Sequence, residues 1–219
     1  MKTLKILSLL LSYPTEDVMP HLTEMAGVLE KEGMLTGKPL KGVKALIGEL
    51  AGKELMETQE FYVDTFDRGR SCSLHLFEHV HGESRARGQA MVDLAGLYRS
   101  KGFDAATGEL PDYLPLFLEY LSLCPPEEAK NLLGETAHIV AALGQKLEKR
   151  DNPYAALFTA LAALADLDLA AIKPLAVEEP EDLDKEWEEP PVFGADACKS
   201  CNVFTKTSAA IEKALGETK

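Results

Sequence analysis

Residues 125–150 read PPEEAKNLLGETAHIVAALGQKLEKR, and this stretch carries the clearest helix signal in the 219-residue chain. Two prolines and two glutamates open it and three basic residues close it, as suits the first turn and the dipole of a helix. Between these ends the inward positions recur at spacings of three and four: Ala129, Leu132, Leu133, Thr136, Val140, Leu143 and Leu147. The pattern predicts one long amphipathic helix that packs on a core.

The same spacing recurs along most of the chain, whereas alternating runs of β-branched residues, typical of strands, are missing. The sequence therefore predicts an all-α fold, a single-domain helical bundle over residues 1–170. We expect Ser84 to cap one of these helices, Pro111 and Pro115 to lie in the first turn of another, and Asn152 and Pro153 to begin the last. The apolar stripes comprise Leu4, Leu7, Leu10 and Leu11; Leu22, Met25, Val28 and Leu29; Val43, Leu46, Ile47 and Leu50; Leu55, Met56, Tyr62, Val63 and Phe66; Met91, Leu94, Ala95 and Tyr98; Leu114, Phe117, Leu118 and Leu121; and Leu157, Phe158, Leu161, Leu164 and Ala165.

The composition changes after Pro174. Residues 178–189 hold eight acidic residues and one lysine, a net charge of −7 out of −13 for the chain. This acidic stretch contains one aromatic residue, Trp187, and has too little apolar surface to offset the loss of conformational entropy on ordering. We expect residues 171–219 to form a flexible acidic tail.

Charge and hydropathy exclude several classes of protein. A net charge of −13 repels phosphate backbones and anionic lipid, which argues against a nucleic-acid binder or a polybasic membrane anchor. No apolar run reaches the ~18 residues of a membrane span. The opening MKTLKILSLLLSYP is interrupted by Ser8 and lacks a small-residue cleavage site, so we expect a first core helix rather than a secretory signal. The predicted location is cytoplasmic, with all four cysteines reduced.

The string His75-Leu76-Phe77-Glu78-His79-Val80-His81 contains the H-x-x-E-H pattern of one class of zinc peptidase. On a helix, His75 and His79 would share a face and Glu78 could act as the base. A third ligand would have to come from scattered carboxylates such as Glu119, Glu135 or Glu148. The simpler interpretation is a helix whose Leu76, Phe77 and Val80 pack inward, so no metal site is predicted and the zinc hydrolase stays as the alternative.

Cys198 and Cys201 form a C-x-x-C pair without a second pair for zinc or a βαβ setting for redox chemistry. We expect two reduced thiols there, with metal or redox duty as the less favoured alternative. Nucleotide-binding loops and nucleophile elbows are missing from the sequence, so no catalytic residue is predicted.

Acidic and aromatic residues are mixed in two regions of the chain. Together they suit an apolar groove with an acidic rim that accepts a basic amphipathic helix. Ordinary core aromatics are the competing interpretation. The residues concerned are Asp64, Glu78, Asp112 and Glu119 among Tyr62, Phe66, Phe77, Tyr113, Phe117 and Tyr120.

Two long strings, residues 62–85 and 110–121, together with Leu11-Ser12-Tyr13-Pro14, closely resemble the NarJ-type assembly chaperones of respiratory nitrate reductase. These are the delta subunits within the TorD-like family of redox-enzyme maturation proteins. The resemblance covers roughly residues 1–170. In the wider family an acid-proline-aspartate-histidine segment lies near the peptide site, and Asp112 matches its aspartate while Tyr113 replaces its histidine.

The resemblance implies a cytoplasmic, non-enzymatic chaperone without a cofactor of its own. It would bind the N-terminal segment of the nitrate reductase alpha subunit until molybdenum cofactor and iron–sulfur cluster are inserted, before membrane docking. Molybdenum cofactor biosynthesis proteins are further possible partners; nucleic acid and stable membrane insertion are not expected. A structural subunit that stays in the mature complex is a further alternative. The expected peptide-binding residues are Tyr62, Phe66, Phe77, Glu78, His79, Asp112, Tyr113, Leu116, Glu119 and Tyr120.

Overall fold

The computed structural model describes residues 1–81, 85–103, 108–167 and 172, all within one compact unit, Met1–Glu178. In these ranges the chain forms ten α-helices and no strand, which confirms the predicted all-α fold. The helices are α1 Lys2–Leu11, α2 Leu22–Glu32, α3 Gly37–Ala51, α4 Leu55–Phe66, α5 Glu78–His81, α6 Arg85–Ser100, α7 Leu114–Leu123, α8 Pro126–Glu135, α9 Ala137–Lys149 and α10 Ala155–Leu164.

Helix α1 packs against α7 and α2. Its predicted stripe is buried, with Leu4, Leu7 and Leu11 at most 1% exposed. Helix α3 packs on α2 and α10, and α10 packs on α9. The apolar stripes therefore meet in one core, as three-and-four spacing requires.

The long helix expected at residues 125–150 is interrupted. Helix α8 ends at Glu135 and α9 begins at Ala137, with Thr136 at φ −90° and ψ 5° between them. The Thr136 hydroxyl donates a hydrogen bond to the Leu133 carbonyl at 2.8 Å, and the Thr136 amide donates to the same oxygen at 3.1 Å. A threonine side chain that competes for a local carbonyl favours a turn over a continuous helix.

The prediction of a helix through the histidine string, residues 75–81, is wrong for most of that string. Only Glu78–His81 is helical, while His75 forms an isolated antiparallel bridge with Tyr113. Leu76 is buried as expected, but Val80 is 45% exposed. Met56, expected in the core, is 71% exposed on α4.

The starts of α7 and α10 differ slightly from the predicted ones. Pro115 lies in the first turn of α7, as predicted, but Pro111 precedes that helix. Helix α10 begins at Ala155, where the Asn152 side chain accepts a hydrogen bond from the Tyr154 amide at 3.0 Å.

Some predictions lie outside the described residues: the Ser84 cap, the tail from 173 onward with its acidic stretch, and the pair Cys198 and Cys201. Of the remaining cysteines, Cys72 and Cys124 are free thiols buried in the core. Across the part of the chain that the structure describes, no helix is both long and apolar enough to cross a bilayer.

Candidate functional site: a groove along α4

Two loop segments meet beside α4 and form one wall of the candidate site. The Leu76 amide donates to the Asp112 carbonyl at 2.9 Å, and the Leu114 amide donates to the Leu74 carbonyl at 2.8 Å. These two hydrogen bonds flank the bridge between His75 and Tyr113. They hold residues 74–76 against residues 112–114, although the chain between them spans more than thirty positions.

Asp112 organises this wall from a position with no solvent exposure. Its carboxylate accepts a hydrogen bond from the Phe77 amide at 3.1 Å and lies 3.4 Å from His75 Nδ1. Arg87 of α6 approaches the same carboxylate at 3.8 Å and Glu78 at 3.2 Å. A buried charge needs such partners, because an unpaired one is costly to remove from water. We call these residues the Asp112 network.

The network shifts the pKa of its titratable members. The hydrogen bond to Asp112 raises the pKa of His75 above 6.5, against the opposing effect of burial. Burial alone would raise the pKa of Asp112, but His75, the Phe77 amide and Arg87 together bring it below its ordinary 3.8. Burial lowers the pKa of His79, whose Nε2 lies 2.7 Å from the Ser73 carbonyl. The geometry thus favours a charged His75–Asp112 pair beside a neutral His79.

Tyrosine hydroxyls join α4 to the loop wall. The Tyr62 hydroxyl donates to the Leu11 carbonyl at 3.0 Å and lies 3.0 Å from the Tyr113 hydroxyl. Burial is the largest cause of the raised pKa of both phenols. Tyr13 meets Tyr62 edge to face, with ring centroids 5.6 Å apart. The aromatic side of the site is therefore fixed by hydrogen bonds at its base.

Two depressions that share Tyr13 run along α4, and we call them together the α4 groove. The larger has a volume of about 510 Å³ and is lined by Tyr13, Met56, Gln59, Glu60, Val63, Asp64 and Arg68. The smaller, which we call the tyrosine pocket, has a volume of about 220 Å³. It is lined by Tyr13, Tyr62, Phe66, Asp67, Ser73, Leu74, His75, Glu109 and Tyr113.

The rim of the α4 groove is acidic, but its carboxylates differ in their partners. Asp64 pairs at 2.8 Å with Arg68, which lies two residues beyond the end of α4. Asp67 and Glu109, at the tyrosine pocket, form no ion pair with any other described residue. The floor is only partly apolar, with Tyr13 46% and Met56 71% exposed to solvent beside the polar side chains of Gln59 and Glu60. Exposed apolar surface with a polar rim is typical of a binding site.

The expected peptide-binding residues separate into groups. Tyr62, Phe66 and Tyr113 line the tyrosine pocket. Glu78 and Asp112 belong to the Asp112 network, with the Phe77 amide as a donor, and His79 is anchored to Ser73 beside it. The role of these seven residues in peptide binding stays a prediction.

The remaining three lie on α7. Leu116 and Tyr120 are buried in the core, and Glu119 pairs with Lys5 of α1. The structure does not bring these three to the α4 groove.

Five further residues line the α4 groove that were not among the expected peptide-binding residues: Tyr13, Met56, Val63, Asp67 and Glu109. A signal was present on α4, where Met56, Glu60, Val63 and Asp67 follow one another at spacings of four, three and four. This is the spacing of one helical face, and it mixes apolar with acidic residues rather than continuing the core stripe.

The zinc-peptidase alternative finds no support in the geometry. His75 lies outside any helix, and its Nδ1 faces Asp112, so His75 and His79 do not share a helical face. Within the described ranges, no group of three histidine, cysteine or acidic side chains is placed to hold a metal ion.

The family model described as nitrate reductase delta subunit matches residues 35–160, more than half of the chain. The chain belongs to the nitrate reductase delta subunit family. The resemblance noted from residues 62–85 and 110–121 is thereby confirmed.

Two curated relatives of this delta-subunit chain come from Escherichia coli K12. One is the probable nitrate reductase molybdenum cofactor assembly chaperone NarW, 41% identical over 92% of this chain and 88% of NarW. The other is the nitrate reductase molybdenum cofactor assembly chaperone NarJ, 40% identical over 90% of this chain and 86% of NarJ. The probable chaperone NarJ of Bacillus subtilis is 32% identical over 81% of this chain and 91% of its own length.

Proposed function

We propose that this delta-subunit protein is a chaperone that assists assembly of nitrate reductase with its molybdenum cofactor. The names of relatives similar over most of both chains support this proposal. The protein would act in the cytoplasm by non-covalent binding and without catalysis. The molybdenum cofactor is cargo of the client enzyme in this proposal, not a resident group of the chaperone.

The client segment we propose is the N-terminal segment of the catalytic alpha subunit in its apo form. The chaperone would hold that subunit until the molybdenum cofactor and iron–sulfur cluster are inserted, and release it before membrane docking. Proteins of molybdenum cofactor biosynthesis are compatible partners at this stage.

The single observation that carries the proposal is the α4 groove, with exposed Tyr13 and Met56 on its floor and carboxylates on its rim. From Met56 to Asp67 the α4 face spans about 16 Å, which matches about three turns of a client helix. An apolar helix face can lie in such a groove while basic residues on its flanks meet the acidic rim.

The Asp112 network supports this proposal by holding the loop wall. Because Asp112 has no exposed surface, we propose that it positions His75 and Tyr113 rather than touching the client. Tyr113 then offers its ring to the tyrosine pocket, where Tyr62 fixes its hydroxyl.

The test of partner identity is affinity capture with the tagged full-length protein from nitrate-respiring cells. We expect the apo alpha subunit to be retained, and an alpha subunit lacking its N-terminal segment to be lost from the eluate. Equal capture of both forms would contradict the proposed client segment. Stable co-purification with the finished membrane enzyme would favour a structural subunit instead.

A further inference from the structure

The tyrosine pocket combines four aromatic rings with two carboxylates. Tyr13, Tyr62, Phe66 and Tyr113 contribute the rings, and Asp67 and Glu109 contribute the carboxylates. Aromatic faces attract cations through their quadrupole, more strongly when the cation is partly desolvated. With a volume of about 220 Å³, the pocket has room for one long side chain and not for a helix.

The two carboxylates of the tyrosine pocket form no ion pair with a described residue. In the larger depression, Asp64 pairs with Arg68, whereas Glu60 resembles Asp67 and Glu109 in forming no ion pair with a described residue. Burial is the largest cause of the raised pKa of Tyr113, and the charges of Glu109 and Asp67 raise this pKa further, as expected for carboxylates that line the same pocket. Among the residues that line the pocket, His75 is the one that can carry a positive charge, and its Nδ1 faces Asp112.

We infer that the tyrosine pocket is a cation subsite that accepts one lysine or arginine side chain of the bound segment. This inference rests on the proposed function, because it names the group that the same groove selects. The larger depression, with Met56 and Val63, takes apolar side chains, and the tyrosine pocket fixes their register by binding the cation at one end. A lysine or arginine buries its aliphatic stem against the rings while its head faces Asp67 and Glu109.

The experiment is calorimetric titration of the full-length protein with a synthetic peptide of the alpha-subunit N-terminal segment. Each arginine is replaced in turn by citrulline and each lysine by norleucine, and one further peptide carries an acetylated N-terminus. We expect one of the side-chain replacements to weaken binding about tenfold and the acetylation to have little effect. A loss caused by acetylation alone would overturn the side-chain assignment, because the α-amine would then be the cation.

The matching protein variant is Asp67→Asn with Glu109→Gln, and its control is Glu24→Gln with Glu135→Gln, which removes the same charge from exposed sites on α2 and α8. We expect about tenfold weaker binding of the natural peptide by the first variant and no change with the control. With the peptide lacking its critical cation, the first variant should bind as well as the wild type, because the interaction it removes is already gone. Equal losses for both peptides would overturn the cation subsite.

Tyr13 separates a cation–π contact from a merely apolar one. Tyr13→Phe keeps the ring and should bind nearly as the wild type, whereas Tyr13→Leu should lose affinity for the natural peptide but not for the cation-free one. If both variants lose affinity equally for both peptides, the pocket is an apolar subsite and the inference fails while the proposed function stands. If the wild type binds none of the peptides, the proposed function fails first and the subsite with it.

Discussion

Asp112 ties the loop wall of the α4 groove together from inside the protein. Its carboxylate contacts the 74–77 segment through His75 and the Phe77 amide, and it contacts α6 through Arg87. Arg87 in turn pairs with Glu78 of α5. Such a group stabilises the fold only while all its partners are present, since the buried charges would otherwise remain unpaired.

Asp112→Ala should lower the free energy of unfolding by about 3 kcal/mol, because it leaves the Phe77 amide without its buried acceptor and removes a buried negative charge beside His75 and Arg87. Asp112→Asn keeps an acceptor oxygen for the Phe77 amide and should cost less. Urea denaturation of both variants measures the difference. An Asp112→Ala protein as stable as the wild type would contradict the role given to the network.

The His75–Asp112 pair should make stability depend on pH in a defined window. The pKa of His75 is raised above 6.5, so its contribution is complete below that value and is lost as the pH rises through the folded pKa. The pKa of Asp112 is lowered below 3.8, so its contribution is present above that value and is lost as the pH falls. The pair therefore stabilises most between about pH 4 and 6.5.

His75→Gln tests this window. The difference in unfolding free energy between wild type and variant should be about 1 kcal/mol at pH 5.5 and should shrink toward pH 8. His79 is present in both proteins, so its contribution cancels in the difference between their unfolding free energies. Without this subtraction, the lowered pKa of His79 would change stability with pH in the opposite direction. A difference that grows with pH would contradict the assigned pairing.

Single residues show where sequence reasoning succeeds and where it stops. Tyr62, Phe66 and Tyr113 could be chosen as pocket residues because aromatic side chains among acids are visible in the sequence. The burial of Asp112 could not be predicted, because it depends on a bridge between segments far apart in the chain. For the same reason the sequence could not show that Asp67 and Glu109 lie at one pocket.

At the scale of elements, two glycines allow α3 and α9 to pack closely against α10. A Cβ built at Gly42 of α3 would lie 3.1 Å from the Ala156 Cβ, and one at Gly144 of α9 would lie 3.1 Å from the Phe158 Cβ. Both neighbours are first side-chain atoms that cannot rotate away, so the helices themselves would have to separate.

Gly42→Ala should therefore destabilise the protein by about 1 kcal/mol, the overpacking cost exceeding the gain in helix propensity. The matched control is Gly48→Ala on the same helix, where a Cβ meets nothing within 4 Å. That variant should be about 0.5–1 kcal/mol more stable than wild type. Thermal unfolding of the two variants measures this difference. Equal shifts of the midpoint temperature in both variants would show that the α3–α10 contact is looser than described.

The periodicity of apolar residues predicted the core face of α3 and most of those of α1 and α10, although α1 and α10 also bury residues beside the predicted stripe, such as Ile6 and Ala160. It failed at Thr136, where a side-chain hydrogen bond to Leu133 ends one helix without disturbing the apolar spacing. It failed again at Leu74 and Leu76, whose backbone groups form hydrogen bonds with Leu114 and Asp112 rather than within a helix. The spacing of apolar residues predicts which side of a helix faces the core, but it does not predict whether that helix is continuous.

At the scale of the whole molecule, the net charge of −13 should steer a basic client segment toward the α4 groove. Raising the salt concentration from 50 mM to 500 mM should lower the association rate constant several-fold, with a smaller change in the dissociation rate constant. Stopped-flow fluorescence with a labelled peptide measures both. A salt effect confined to dissociation would contradict steering.

The central claim is that the α4 groove binds the N-terminal segment of the nitrate reductase alpha subunit. Calorimetry with that synthetic segment tests it most directly, comparing wild type, Val63→Arg in the groove and Val92→Arg on α6, where an apolar residue is exposed outside the groove. The account predicts binding by wild type and by Val92→Arg, and at least tenfold weaker binding by Val63→Arg. Equal affinity for all three proteins would contradict it.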